Sequence, residues 1–226
     1  MPLSVNQQRT VVLFLAVSAV DIIAILGGWL ILHNIAKPLL VPLLISILIL
    51  PSSKYPGKNL LLAGLFFSWI GDLLLLFDKE HPIFFIFGLA SFLTTHIFYI
   101  IFFLLIPSGN RSLLTRQPLL VILVLAYGTA LVWLLFPHLG DLKLPVMAYA
   151  AVICTMLLCS LHAFTKINPP ANRWFLCGAL AFVLSDSLLA LDKFYQPFSF
   201  AGVLIMLTYC AAQYGIVRGY LESTSS

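Results

Sequence analysis

Apolar residues run through this chain in long blocks, and the polar and charged residues cluster in short breaks between them. The blocks predict helices near 11–32, 38–50, 60–77, 83–106, 118–136, 145–165, 173–191 and 199–218. A run of this length with few charges is what a helix needs to cross the roughly 30 Å hydrocarbon core of a bilayer. The second block is the short one, and Pro38 and Pro42 inside it predict a tilted, kinked or partly buried segment. The first block has the position of a signal peptide. It carries Asp21 and lacks a small-residue cleavage site, so it is read as a retained helix of a protein that starts at Met1. The fold class expected is all-α: a polytopic membrane bundle of eight transmembrane helices, forming one membrane domain over 1–226.

The polar positions inside these blocks repeat. At an offset of 114 residues Gly64 aligns with Gly178, Asp72 with Asp186, Asp78 with Asp192, Lys79 with Lys193, Gly88 with Gly202 and Thr94 with Thr208, without a gap. The third and fourth blocks thus recur as the seventh and eighth. The offset spans an even number of crossings, which implies a parallel internal repeat about an axis along the membrane normal. Asp72 and Asp186 would then lie at equal depth, about five residues or roughly 8 Å from the outer end of their helices at 1.5 Å per residue. Gly64, Ser68 and Gly71 share the face of Asp72. Gly88, Ser91, Thr95 and Tyr99 form a second stripe with His96 at its flank, and Gly202, Tyr209 and Gln213 repeat it. Small residues allow close helix approach and polar ones avoid lipid, so both repeats are expected to line one polar cavity.

Composition sharpens this reading. Of 226 residues, 62% are hydrophobic and 9% charged, with a mean hydropathy of +1.07, beyond what a soluble core requires. Arg9, Lys54, Lys58, Arg111, Arg116, Lys166, Arg173 and Arg218 fall on one side of the predicted topology. Lys37, Lys79, Lys143 and Lys193 fall on the other, with Asp78, Glu80, Asp141 and Asp192. The positive-inside rule then places both termini in the cytoplasm, with a bacterial inner membrane as the expected location. The net charge of +4 reflects that orientation, and no basic cluster points to nucleic acid. Cys154, Cys159, Cys177 and Cys210 lie in apolar blocks without C-x-x-C spacing and read as packing residues. No zinc-protease, nucleophile-elbow or phosphate-loop motif is present, so neither a metal nor another cofactor is expected.

An ionised aspartate at a helix centre costs about 2.5–3.5 kcal/mol on insertion scales, so two at matched depth point to function. The competing structural reading bonds them to neighbouring hydroxyls or to Lys37, which this pattern places just after a short turn at the outer end of the second helix. His96, Tyr99, Tyr149, Tyr209 and Gln213 serve equally as ligands of a bound headgroup or as bridges between helices. Asp21 has no repeat partner, and His162 near the cytoplasmic end reads as structural. From the residues alone three classes stay open: a membrane hydrolase, a proton-coupled transporter or lipid transporter, and a lipid-binding membrane protein.

Several short motifs carry a resemblance: Lys37-Pro38, Gly71-Asp72, Phe87-Gly88-Leu89-Ala90-Ser91-Phe92 with His96 and Tyr99, Pro145-Val146 with Tyr149, Leu184-Ser185-Asp186 with Leu189-Ala190, and Tyr209 with Ala212-Gln213. In these the chain resembles the YhhN-like lysoplasmalogenases, eight-helix membrane hydrolases. Cys210 departs from the pattern, standing where the family often has a second tyrosine. The resemblance implies hydrolysis of the vinyl-ether bond of a lysoplasmalogen to a fatty aldehyde and glycerophosphoethanolamine or glycerophosphocholine. It also implies a lysophospholipid substrate drawn from the membrane, without a known protein partner. Such a bond opens when its outer alkene carbon is protonated to an oxocarbenium ion that water captures, a reaction needing an acid and a carboxylate. Asp72 and Asp186 are the expected catalytic pair. Lys37, Ser91, His96, Tyr99, Tyr149, Tyr209 and Gln213 are the expected substrate-binding residues.

Overall fold

A computed structural model describes residues 4–49, 57–78, 80–106 and 111–223. Lys54 and Lys79, counted above in the charge asymmetry and the repeat, lie outside the described residues. The helices are α1 (Val5–Gly27), α2 (Leu30–Ile49), α3 (Lys58–Leu75), α4 (Pro82–Leu104), a single turn α5 (Leu113–Arg116), α6 (Leu119–Leu135), α7 (Lys143–Phe164), α8 (Ala171–Ala190) and α9 (Ala201–Ser223). All but α5 belong to spans long and apolar enough to cross a membrane, and these number eight among the described residues. The all-helical, eight-span class expected from the sequence is therefore observed.

Local chemistry sets the first hairpin. A capping box opens α1: Ser4 Oγ accepts from the Gln7 N–H at 3.2 Å, and Gln7 Oε1 accepts from the Ser4 N–H at 3.0 Å. Gly28, at φ 67°, ends the helix in the left-handed conformation that glycine adopts without a Cβ penalty. The chain then turns directly into α2. This corrects the expected boundaries, because hydropathy cannot register a turn flanked by Trp29, Leu30 and Ile31. The second block is a twenty-residue helix, and Lys37 sits two turns down it instead of at its head.

Pro38 and Pro42 are accommodated inside α2. Pro42 has no N–H to give to the carbonyl four residues back. The indole Nε1 of Trp69, on α3, donates to that Pro38 carbonyl at 2.9 Å. The proline thus creates an acceptor that fastens α2 to α3.

Helices α3 with α4, and α8 with α9, pack along most of their length, and α9 also meets α1 and α2. Glycine makes the α8–α9 approach possible: a Cβ on Gly178 would stand 2.9 Å from the Ile216 nitrogen and 3.0 Å from the Ala212 carbonyl oxygen. Hydroxyls tie the hairpins further. Ser91 donates to the Phe67 carbonyl at 2.6 Å, Thr95 to that of Gly64 at 3.0 Å, and Ser185 to that of Ile205 at 3.1 Å. In lipid, where apolar burial drives helices together little, such close packing and interhelical bonding hold the bundle. Exposed Leu123, Trp133, Leu180 and Leu184 form part of the apolar exterior.

Candidate active site

Asp72 and Asp186 occupy separate hydrogen-bond networks. Asp72 is buried on α3 and accepts from the Tyr209 hydroxyl of α9 at 2.5 Å. Ser68 lies 2.8 Å from the same hydroxyl and accepts from Gln213 Nε2 at 2.5 Å. The Gln213 Oε1 in turn accepts from the Tyr99 hydroxyl at 3.0 Å. A continuous polar chain therefore runs from Tyr99 through Gln213, Ser68 and Tyr209 to Asp72, all inside the bundle.

Asp186 belongs to α8, and its partners come from α7 and α4. The Tyr149 hydroxyl donates to Asp186 Oδ2 at 2.5 Å, and His96 Nε2 lies 3.1 Å from that same oxygen and 3.1 Å from the Tyr149 hydroxyl. Between the networks stands the fully buried Phe182, whose ring packs edge-on against His96 at 4.6 Å and against Tyr209 at 5.9 Å. The sequence predicted one polar cavity shared by both repeats. The stripe residues instead bond to one another and to backbone carbonyls in two networks on either side of an aromatic ring, and the cavity that both repeats line, through Asp78 and Asp192, excludes Asp72 and Asp186.

Open space lies beside them. A cavity of about 470 Å³ between α1, α2, α3, α8 and α9 is lined by His33, Lys37, Asp78 and Asp192 and by apolar residues including Leu75 and Leu189. It sits at the end of the bundle where α1 finishes and α9 begins. Asp186 borders two small apolar cavities of about 40 and 50 Å³. Leu75 and Leu189 line both the large cavity and the first small one, so these two side chains form the partition between them. Among the described residues no group of three or more His, Cys, Asp or Glu is assembled as metal ligands would be.

The profile of the YhhN family matches residues 32–220. The chain belongs to the YhhN family. It is similar to human lysoplasmalogenase TMEM86B, 37% identical over 175 residues that cover 76% of this chain and 67% of the relative. Bovine (Bos taurus) lysoplasmalogenase TMEM86A is 35% identical over 174 residues, covering 75% and 68%. The lysoplasmalogenase of Mycobacterium tuberculosis is 31% identical over 144 residues, covering 60% and 51%. No solved structure matches the chain significantly.

The YhhN match takes in every expected catalytic and substrate-binding residue, while Asp21 precedes it. Of the expected site residues, Lys37 lines the large cavity and Tyr149 and Asp186 line the small ones. Tyr99, Tyr209 and Gln213 are spent on the Asp72 network, His96 bridges Tyr149 and Asp186, and Ser91 bonds α3. Sequence reasoning missed His33. Its Nδ1 lies 2.7 Å from Oδ1 of the fully buried Asp21, pairing α2 with α1 at the wall of the large cavity. The signal was Asp21 itself, an intramembrane acid that needed a partner on the neighbouring helix.

Proposed function

We propose that this protein is an integral membrane lysoplasmalogenase, hydrolysing the vinyl-ether bond of a lysoplasmalogen to a fatty aldehyde and a glycerophospho-alcohol. Family membership and relatives bearing that name support the reaction. The observation that carries the mechanism is the place of Asp186: a carboxyl group whose hydrogen bonds to the described residues fall on Oδ2, bordering apolar free space.

Protonation of a carbon requires the acid to touch it, since a carbon in an apolar chain offers no hydrogen-bond relay. The acid must therefore border free space where the alkene is to sit, and Asp186 borders two small apolar cavities. In the proposed reaction the protonated Asp186 gives its proton to the outer vinyl carbon, and the C=C electrons form that C–H bond. The adjacent carbon becomes an oxocarbenium ion stabilised by the carboxylate left behind. Water adds to that carbon and loses a proton to a carboxylate. The hemiacetal hydroxyl then gives its proton to a carboxylate as the bond to the glycerol oxygen breaks, and that oxygen takes a proton from a carboxylic acid, releasing aldehyde and alcohol. Tyr149 and His96 fix the orientation of Asp186. Asp72, at the end of its own bonded chain, is the second carboxyl group that holds charge or proton during the cycle. The charge asymmetry of the loops supports an orientation with both termini cytoplasmic in a bacterial inner membrane.

The test is aldehyde release by the purified protein from a lysoplasmalogen, repeated with Asp186→Asn and Asp72→Asn. Loss of turnover in both supports the reading, and full turnover in both overturns it.

A further inference from the structure

Two opposite charges line the large cavity without meeting. Lys37, half-buried in a membrane span, makes no ion pair among the described residues. Among the described residues Asp192 accepts from the Phe198 N–H at 3.3 Å and has no cationic partner. The other charged residues of this wall are engaged: His33 with Asp21, and Asp78 with Lys193 at 2.8 Å. An intramembrane charge without a direct ion-pair partner is expensive, and it is retained where a ligand or pathway uses it.

The two differ in depth. Lys37 lies two turns into α2, whereas Asp192 follows the last turn of α8 at the mouth of the bundle. A ligand that satisfies both must carry an anion deeper in the cavity and a cation nearer the mouth, separated by a short spacer. A phosphate ester followed by an ammonium group has that order. We infer that this cavity is a headgroup site for zwitterionic lysophospholipids, with the phosphate on Lys37 and the ammonium on Asp192. The assignment deepens the lysoplasmalogenase reading and rests on it for the choice of a lysolipid. With the phosphate on Lys37, the glycerol and the start of the chain continue inward to Leu75 and Leu189, the partition that separates this cavity from Asp186. The site therefore selects lipids by headgroup and delivers the first bonds of the chain to the acid.

The experiment is binding, in nanodiscs, of saturated 1-O-alkyl lysolipids that lack the vinyl bond and cannot react. Three headgroups are compared: phosphoethanolamine, phosphocholine, and phosphoglycerol, which has no ammonium. The wild-type protein is expected to bind the two zwitterions at least tenfold more tightly than the phosphoglycerol lipid. Lys37→Gln should weaken all three about tenfold. Asp192→Asn, which keeps an acceptor oxygen for the Phe198 N–H, should weaken only the zwitterions and erase the preference. Equal wild-type affinity for the three headgroups overturns the inference, as does unchanged binding in Lys37→Gln or a retained preference in Asp192→Asn. Thermal unfolding of each variant shows whether the bundle is intact. If Lys37→Gln does not fold, the Asp192→Asn preference alone decides. Should the headgroup pattern hold while a lysoplasmalogen yields no aldehyde, the hydrolase reading fails and the site stands.

Discussion

The Tyr149 hydroxyl donates to Asp186 Oδ2 at 2.5 Å, and His96 Nε2 reaches the same oxygen at 3.1 Å. Three helices, α7, α8 and α4, thus fix one oxygen of a carboxyl group that borders free space. Asp72 is held differently, by a single tyrosine that is itself the end of a bonded chain.

Asp186→Asn removes the proposed proton donor and keeps the shape, so kcat should fall about 10²–10⁴-fold, the usual worth of a positioned acid. Tyr149→Phe removes only the orienting bond. Its kcat should fall less, with KM nearly unchanged, in a lysoplasmalogen assay that measures aldehyde. Equal kcat for wild type and Asp186→Asn would remove this residue from the chemistry.

Tyr209→Phe opens the network around Asp72 without touching Asp186. Because Ser68, Gln213 and Tyr99 are coupled through that hydroxyl, the effect of Tyr209→Phe on turnover should not add to that of Asp72→Asn. A double-mutant cycle on kcat/KM measures this. Simple additivity would show that the two residues act independently.

Helix packing gives a stability prediction. A Cβ on Gly178 meets the backbone of α9, which cannot rotate away, whereas one on Gly64 meets the ring of Tyr99. Gly178→Ala should therefore destabilise the bundle by about 1–3 kcal/mol through overpacking. Gly64→Ala should cost less stability, while displacing Tyr99 from Gln213. Thermal unfolding in detergent, with aldehyde release as the second readout, distinguishes the two.

Much of this was legible in the sequence because lipid enforces simple rules. Apolar blocks located the last six spans to within about five residues but misplaced the starts of the first two, and the cost of intramembrane charge singled out Asp72, Asp186 and Lys37. What the sequence could not show is which polar residues spend their hydrogen bonds on one another. Ser91 and Gln213 look the same on a helix wheel whether they face a ligand or a neighbouring helix; the structure turns Ser91 to the Phe67 carbonyl and Gln213 to Ser68. The α1–α2 turn was illegible for a different reason. One left-handed glycine, Gly28, reverses the chain inside an apolar run, so Lys37 and His33 were placed too near a helix end or passed over.

The contact between α2 and α3 offers a test with a built-in rescue. Pro42 leaves the Pro38 carbonyl without its helical partner, and Trp69 supplies the missing donor at 2.9 Å. Trp69→Phe keeps an aromatic ring but strands that carbonyl away from water, which should cost about 1–3 kcal/mol. Pro42→Ala restores a backbone N–H able to bond the same carbonyl, so in the Trp69→Phe background it should recover part of the loss. In the wild-type background the two donors compete for one acceptor, and the gain from Pro42→Ala should be smaller. Unfolding measurements on the four proteins of this cycle decide the matter. A Pro42→Ala effect that is the same in both backgrounds would show that the indole and the missing N–H do not share the carbonyl's burden.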